Sequence, residues 1–277
     1  MGLAIAGKWT GIYSACGLAV VFFISLGFRI REYVIAKKDI EGEFDGISCR
    51  TICETFWGYL WKTGLFCVGA FILVPALIYL LSYLPFEDGV TEGLLPKLIR
   101  NQQTMWNYHR NLEATHYYSS YWYQWPVIYK PILYYSRQAG SNLVEGISAM
   151  GNPLVWWVGI GAFVYMVYRT FSYKDKSAAF LLIAFLAQFL PWVLVSRLTF
   201  IYHYFPSVPF LTLMIGVSMK EILKRNRKML TGLVVYVALA VGLFVMFYPV
   251  ISGHAVNAEY GDRFLRWFDS WVLFINR

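Results

Sequence analysis

The stretch MLTGLVVYVALAVGLFVMFYPV, residues 229–250, contains no charged side chain. A helix needs about 20 consecutive apolar residues to cross the hydrocarbon core of a bilayer. This stretch is therefore long enough to be a transmembrane helix. Five further stretches come near the same length and composition, namely 10–28, 57–82, 153–169, 178–195 and 203–220. The sequence predicts about six transmembrane spans.

The composition agrees with this pattern. Of the 277 residues, 58% are hydrophobic and 14% are charged, and the mean hydropathy is +0.49. A soluble globule of this length needs more polar side chains to coat its surface. We therefore expect an all-α fold, a polytopic helical protein of the cell membrane in contact with the lipid bilayer.

The net charge of +8 does not predict nucleic-acid binding, because the basic residues cluster between the apolar stretches. Orientation in the membrane and attraction to anionic lipid explain that distribution. By the positive-inside rule, the connections 29–56, 170–177 and 221–228 are cytoplasmic. The chain then divides into two spans with a cytoplasmic amphipathic loop (1–82), an extracytoplasmic aromatic-rich loop (83–152), a four-span bundle (153–250) and an extracytoplasmic tail (251–277).

The cysteines predict neither a disulfide nor a metal site. Cys16 and Cys67 fall within predicted spans, while Cys49 and Cys53 lie in a predicted cytoplasmic loop that is kept reducing. No second pair of Cys or His accompanies Cys49 and Cys53, as a zinc site would require. Phosphate-binding Walker loops, nucleophile elbows and His-Glu-x-x-His helices do not occur in the sequence either. We expect no metal and no cofactor.

The predicted outer loop contains the segment MWNYHRNLEATHYYSSYWYQWP, residues 105–126. His109 and His116 are seven apart, a spacing that returns to nearly the same face of a helix. One interpretation is a re-entrant or surface-lying helix pair that shapes a substrate groove. An aromatic belt that only anchors the loop at the bilayer surface is the alternative. The candidate groove residues are His109, His116, Tyr117, Trp122 and Trp125.

Four segments together resemble a known family. They are 2–11 (GLAIAGKWTG), 108–116 (YHRNLEATH) continuing to Trp125 and Pro126, 147–157 (ISAMGNPLVWW) and 190–209 (LPWVLVSRLTFIYHYFPSVP). In order and spacing they resemble the C-terminal half of a bacterial protein O-mannosyltransferase, a polyprenyl-phosphate-mannose-dependent glycosyltransferase of the GT-C membrane fold. The chain departs from that family at Tyr117 and Ser196, where bacterial relatives often have proline.

The resemblance implies transfer of mannose from polyprenyl-phosphate-mannose to Ser or Thr hydroxyls of secreted or membrane proteins. It also implies that the catalytic carboxylate lies in a first external loop, upstream of this sequence, so the catalytic residue is unknown. The opening residues do not read as a signal peptide. They indicate either an interfacial segment or, as we expect, a chain that begins partway through a longer protein. A separate N-terminal half is then an expected partner.

The departing lipid phosphate needs positive charge or hydrogen-bond donors at the membrane surface. Arg197 directly follows a predicted span on the outer side, and a guanidinium can bind two phosphate oxygens at once. His203 and Tyr204 could add donors to the same phosphate. The alternatives are an Arg197 that only anchors the span at the interface and a His203 that caps a packed helix end.

Two other functions stay open. The eight acidic residues of the outer side show no paired-carboxylate spacing, so a non-catalytic lipid- or partner-binding subunit is the main alternative; they are Glu87, Asp88, Glu92, Glu113, Glu145, Glu259, Asp262 and Asp269. A transporter is disfavoured, because transport paths usually place ionisable residues deep within spans. The interiors of the predicted spans are almost free of charge.

Overall fold

The computed structural model of the chain describes residues 1–87, 93–112 and 114–274. Within these residues, six helices are long and apolar enough to cross a membrane: Gly11–Lys38, Cys49–Leu81, Pro153–Tyr173, Lys176–Leu194, Ile201–Arg225 and Arg227–Ser252. The predicted class and the six spans are confirmed. The chain forms two compact units, Met1–Asn111 and Leu112–Arg277.

The first unit begins with a short helix α1 (Gly2–Gly7) and a long helix α2 (Gly11–Lys38). The predicted connection 29–56 is shorter than expected, because α2 runs on to Lys38 and the next helix starts at Cys49. An Arg29–Glu32 ion pair of 2.9 Å, one turn apart, is compatible with a helix that continues through these polar residues.

Between α2 and the next span lies a two-residue antiparallel pair, β1 (Glu43–Phe44) and β2 (Ile47–Ser48). Asp45 and Gly46 both have positive φ, 51° and 76°, as a tight hairpin turn with this twist requires. Helix α3 (Cys49–Leu81) contains a π-turn at Gly69–Leu73.

The last helix of the first unit is α4 (Leu94–Arg110). The Tyr79 hydroxyl accepts from Trp9 Nε1 at 3.1 Å and donates to Gln102 Oε1 at 2.9 Å. Gln102 Nε2 also donates to the Tyr83 hydroxyl at 2.7 Å. These bonds connect α4 to the end of α3 and to the chain that follows α1.

The second unit contains four long helices: α5 (Pro153–Tyr173), α6 (Lys176–Phe189), α7 (Val208–Arg225) and α8 (Leu230–Ser252). A 3₁₀ turn, Leu190–Leu194, extends α6, and a second, Ile201–Ser207, leads into α7. Side-chain oxygens cap two of the helices. Asn152 accepts from the amides of the first turn of α5, and Asp175 does so for α6.

A small antiparallel sheet accompanies this helical bundle, and the sequence analysis did not anticipate it. Its strands are β3 (Ile132–Gln138), β4 (Leu143–Ala149) and β5 (Val256–Asn257), in the order β3-β4-β5. Within the predicted loop 83–152 the chain therefore forms a regular hairpin. A short helix α9 (Ala258–Tyr260) and a π-turn (Gly261–Leu265) follow β5.

The C-terminal segment packs back onto the chain that precedes β3. Trp271 is fully buried, and its Nε1 donates to the carbonyl oxygen of Ile128 at 2.6 Å. Ser270 Oγ donates to the carbonyl oxygen of Tyr129. Ile128 is also fully buried and has a φ of 56°, a strained conformation for a β-branched residue. The tail and the aromatic loop thus hold one another in place.

Candidate functional site

A polar cavity of about 480 Å³ lies at one end of the bundle in the second unit. Its walls are the segments 114–121 and 196–199. The second segment connects the 3₁₀ turn that ends at Leu194 with the one that begins at Ile201, so the cavity lies where two spans emerge. By the predicted orientation, this is the outer end of the bundle.

Two hydrogen bonds join the walls. The amide of Ser120 donates to the carbonyl oxygen of Thr199 at 3.0 Å, and Thr199 Oγ1 donates back to the carbonyl oxygen of Ser120 at 2.8 Å. Trp125 holds Ser120 in place, because its Nε1 donates to Ser120 Oγ at 3.1 Å. Ser120 and Thr199 are both buried. We call this pair of bonds the Ser120–Thr199 clamp.

Arg197 lines the cavity, as a residue that binds phosphate must. Its side chain is half-buried, and within the described part of the chain it forms no ion pair and no hydrogen bond. A guanidinium has five N–H donors and stays charged at all physiological pH values. The cavity therefore contains a positive charge and a set of donors that an anionic ligand could engage.

His116 and Tyr117 line the opposite wall. His116 Nδ1 accepts a hydrogen bond from the amide of Tyr118 at 3.2 Å, so the neutral ring carries its proton on Nε2. The imidazole also packs edge-on against Phe200, with 5.1 Å between the ring centroids. The His116 ring is thus oriented from both walls.

Lys130 is a residue that the sequence analysis missed. Its Nζ donates to the carbonyl oxygen of Tyr117 at 2.7 Å and lies 4.8 Å from the centre of the Tyr117 ring. A second cation is therefore held beside the cavity wall. Nothing in the sequence around Lys130 distinguishes it from the other scattered basic residues of the loop.

His203 and Tyr204 do not line the cavity. His203 is 4% exposed and lies between Trp192, at 4.2 Å, and Trp125, at 5.9 Å between ring centroids. Its Nδ1 lies 3.1 Å from the Phe200 amide at the start of the 3₁₀ turn. This position matches the helix-end alternative. Tyr204 is 1% exposed and packs edge-on against Trp156, so neither side chain can reach a ligand in this conformation.

Trp125 and Trp122 were placed in the substrate groove by the sequence analysis. Trp125 is instead fully buried beneath the Ser120–Thr199 clamp, since its large apolar ring packs against Phe189 and Trp192. Trp122 is half-buried against Phe189, with 5.6 Å between ring centroids. Neither ring lines the cavity, and Trp125 supports it through the bond to Ser120.

His109 belongs to the first unit, where its ring lies 6.2 Å from that of Trp9. His109 and His116 do not lie on one helix. Helix α4 ends at Arg110, and His116 follows in irregular chain of the second unit. The seven-residue spacing therefore does not place the two rings on one face of a helix.

Carboxylates are scarce around the cavity. None occurs among its described lining residues, and Asp88, Glu92 and Glu113 lie outside the described part of the chain. Glu145 forms an ion pair with Arg137 across the β3–β4 hairpin at 2.9 Å, and this hydrogen-bonded partner lowers the pKa of its carboxyl. Within the described residues, no group of three His, Cys, Asp or Glu side chains could hold a metal ion.

Comparison with known proteins gives a consistent result. The family model described as the C-terminal four TMM region of protein-O-mannosyltransferase matches residues 94–271. The polyprenol-phosphate-mannose–protein mannosyltransferase of Corynebacterium glutamicum is 25% identical over 98% of this chain and 56% of its own length. The Mycobacterium tuberculosis protein of the same name is 24% identical over the same shares. The chain thus spans about half the length of these relatives.

A solved structure shows the same fold. It is the Saccharomyces cerevisiae protein O-mannosyltransferase Pmt1-Pmt2 complex bound to the sugar donor, with a TM-score of 0.52 and 22% sequence identity. The similarity covers 68% of this chain and 29% of that one. The family match extends from α4 through the aromatic loop and the four-helix bundle to Trp271. On these grounds the chain belongs to the protein O-mannosyltransferase family.

Proposed function

We propose that this chain forms the donor-phosphate-binding part of a membrane glycosyltransferase. The enzyme would transfer mannose from a polyprenyl-phosphate carrier to Ser or Thr hydroxyls of secreted or membrane proteins. Family membership supports the reaction class. The observation that carries the proposal is the unneutralised Arg197 guanidinium in a polar cavity where two spans emerge. A lipid-linked phosphate would meet the protein at such a place.

The chemistry assigns a distinct task to the cavity. The bond between the sugar's anomeric carbon and the phosphate oxygen breaks, while the acceptor hydroxyl oxygen bonds to that carbon and loses its proton to a base. Arg197 would bind two oxygens of the departing phosphate, and His116 Nε2–H would donate to a third. Lys130 would add positive potential from behind Tyr117.

The described lining of the cavity does not supply the catalytic base, because no carboxylate occurs among these residues. We propose that the carboxylate comes from another region, such as a separate N-terminal half. The same observation favours a second candidate function. In that case the chain binds the lipid-linked donor but catalyses nothing by itself.

Binding of radiolabelled polyprenyl-phosphate-mannose to the reconstituted chain tests the donor site. Arg197→Gln should weaken binding roughly 10- to 100-fold, because hydrogen bonds to charged groups are worth about 1.5 to 3 kcal/mol. The donor affinity of Arg197→Lys should lie between those of the wild type and Arg197→Gln, since lysine keeps the charge but cannot bind two oxygens as a guanidinium does. Arg263→Gln, which removes an exposed arginine elsewhere, is the control. Unchanged binding by Arg197→Gln would refute the site.

Transfer to a Ser/Thr-rich peptide then separates the two functions. Membranes containing only this chain would be compared with membranes that also contain a candidate N-terminal half. Transfer that requires the added half supports a split enzyme. Donor binding without transfer in either preparation supports the non-catalytic subunit.

A further inference from the structure

An apolar groove of about 960 Å³ runs along the second unit between α7 and α8. On α7 its lining recurs every three or four residues from Thr212 to Lys224, which is a single face of the helix. At 1.5 Å per residue these positions extend over about 18 Å. One leaflet contributes about 15 Å, half of the hydrocarbon core. On α8 the lining runs from Leu230 to Phe244, about 21 Å, so the groove is at least as long as one leaflet.

The groove follows from how the two helices pack. Helix α7 contacts α5 and α6, whereas α8 contacts β4 and α5, so the two helices diverge after the short connection between them. Asn152 Nδ2 donates to the carbonyl oxygen of Ala240 at 2.8 Å. This bond fixes the start of α5 against α8, away from the connection between α7 and α8. Gly216 on α7 leaves open space where a side chain would stand.

The groove is basic at the end that lies beside the connection between α7 and α8. Lys220, Lys224 and Arg227 line it there. Lys224 pairs with Glu221 at 2.9 Å, and Glu221 also pairs with Arg169 at 3.0 Å, so that carboxylate is shared. Neither Lys220 nor Arg227 contacts a carboxylate within the part of the chain that the structure describes. An excess of positive charge remains at this end.

The positive-inside rule places this end at the cytoplasmic surface, where the leaflet carries anionic lipid. We propose that the groove binds one anionic phospholipid of the cytoplasmic leaflet. Its phosphate lies between Lys220 and Arg227, and one acyl chain follows the apolar face of α7 and α8 toward Asn152. The site is separate from the Arg197 cavity, because Arg197 precedes the start of the span that ends at Arg225. It does not depend on the proposed transferase function.

Native mass spectrometry of the full chain tests this directly. The protein is reconstituted in bilayers of equal parts phosphatidylcholine and phosphatidylglycerol, released in mild detergent, and the retained lipid is identified by mass. We expect one retained phosphatidylglycerol. Lys220→Gln with Arg227→Gln should reduce its preference over phosphatidylcholine by more than about fivefold, the effect expected for each basic residue near an anionic surface. Lys228→Gln, a neighbouring basic residue outside the groove, is the charge control.

The shape of the groove is tested separately by Gly216→Leu. The new side chain enters open space, and leucine favours helix more than glycine does, so the variant should fold and yet lose the lipid. Gly242→Leu is the matched control, because Gly242 on α8 also has open space but does not line the groove. Equal retention of the two phospholipids, a lipid-bearing Gly216→Leu, or a lipid-free dimer that buries the groove would each overturn the proposal.

Discussion

The Thr199 hydroxyl forms one of the two hydrogen bonds that join the walls of the candidate site. Its Oγ1 donates to the Ser120 carbonyl oxygen, which is also 3.3 Å from Trp125 Nε1. The bond is buried, so water cannot replace the hydroxyl if it is removed, and Trp125 Nε1 is then the remaining side-chain donor to this oxygen. The geometry of Arg197 and His116 relative to each other therefore depends on this residue.

Thr199→Val removes the hydroxyl but nearly keeps the shape of the side chain. We expect it to lower the free energy of unfolding by about 1 kcal/mol, and to weaken donor binding although Arg197 is unchanged. Thr104→Val is the control, because that exposed hydroxyl only bonds within its own helix, to the carbonyl oxygen of Arg100. Unfolding in detergent, followed by circular dichroism, measures the stability of both variants. Binding of radiolabelled polyprenyl-phosphate-mannose measures their affinity for the donor. Equal losses in the two variants would contradict the role of the clamp.

At the scale of elements, helix α6 is held at its start by Asp175. The carboxylate accepts from the amides of Ser177 and Ala178 and pairs with Arg169 at 2.5 Å. The Ala178 amide and the Arg169 guanidinium lower the pKa of the Asp175 carboxyl. Arg169 also pairs with Glu221, so this one cluster joins the ends of α5, α6 and α7.

A lowered pKa in the folded state means that the unfolded chain takes up this proton more readily. The stabilisation is present above the ordinary pKa of 3.8 and is lost as the pH falls through the lower folded value. Asp175→Asn keeps the cap but not the charge. It should lower the free energy of unfolding by about 1 to 2 kcal/mol at pH 7, and the difference should vanish in acid.

Unfolding of the wild type and Asp175→Asn across pH 2 to 7 checks this, as the difference between them isolates one carboxyl from all others. Asp269→Asn is the control, because that side chain is fully exposed and lies 3.9 Å from Arg266. A difference that grows as the pH falls would contradict a lowered pKa of the Asp175 carboxyl in the folded state.

At the scale of the whole second unit, the C-terminal segment lies directly over the sheet. A Cβ added at Gly146 on β4 would stand 2.5 Å from the Leu273 carbonyl oxygen, and backbone cannot move aside as a side-chain tip can. The segment also supplies Trp271, which holds the strained Ile128. Order in the aromatic loop therefore depends on the end of the chain.

Gly146→Ala should lower the free energy of unfolding by about 1 to 3 kcal/mol, the usual cost of overpacking. Gly140→Ala is the matched control, since the nearest atom there would be 3.7 Å away, an ordinary contact. Thermal unfolding in detergent compares the two. Protease should also cleave the tail of Gly146→Ala faster, and equal behaviour of the two variants would show that the tail does not pack as described.

The spans could be predicted because a single local property, about 20 apolar residues in a row, determines them. The pairing of β4 with β5 could not, because Val144 and Val256 are far apart in the sequence. Arg197 and His116 line the cavity, but burial of His203 and the position of Lys130 depend on packing that no local pattern encodes.

The Ser120–Thr199 clamp can form only late in the synthesis of the chain. The two residues are 79 positions apart, and helices α5 and α6 lie between them. While the chain is being made, Ser120 is complete long before Thr199 leaves the ribosome. The first wall must therefore wait, unbonded, until two more helices have been inserted. A chain arrested before that moment would have a fully translated aromatic loop and no cavity, so the site can close only after the insertion machinery has finished α6.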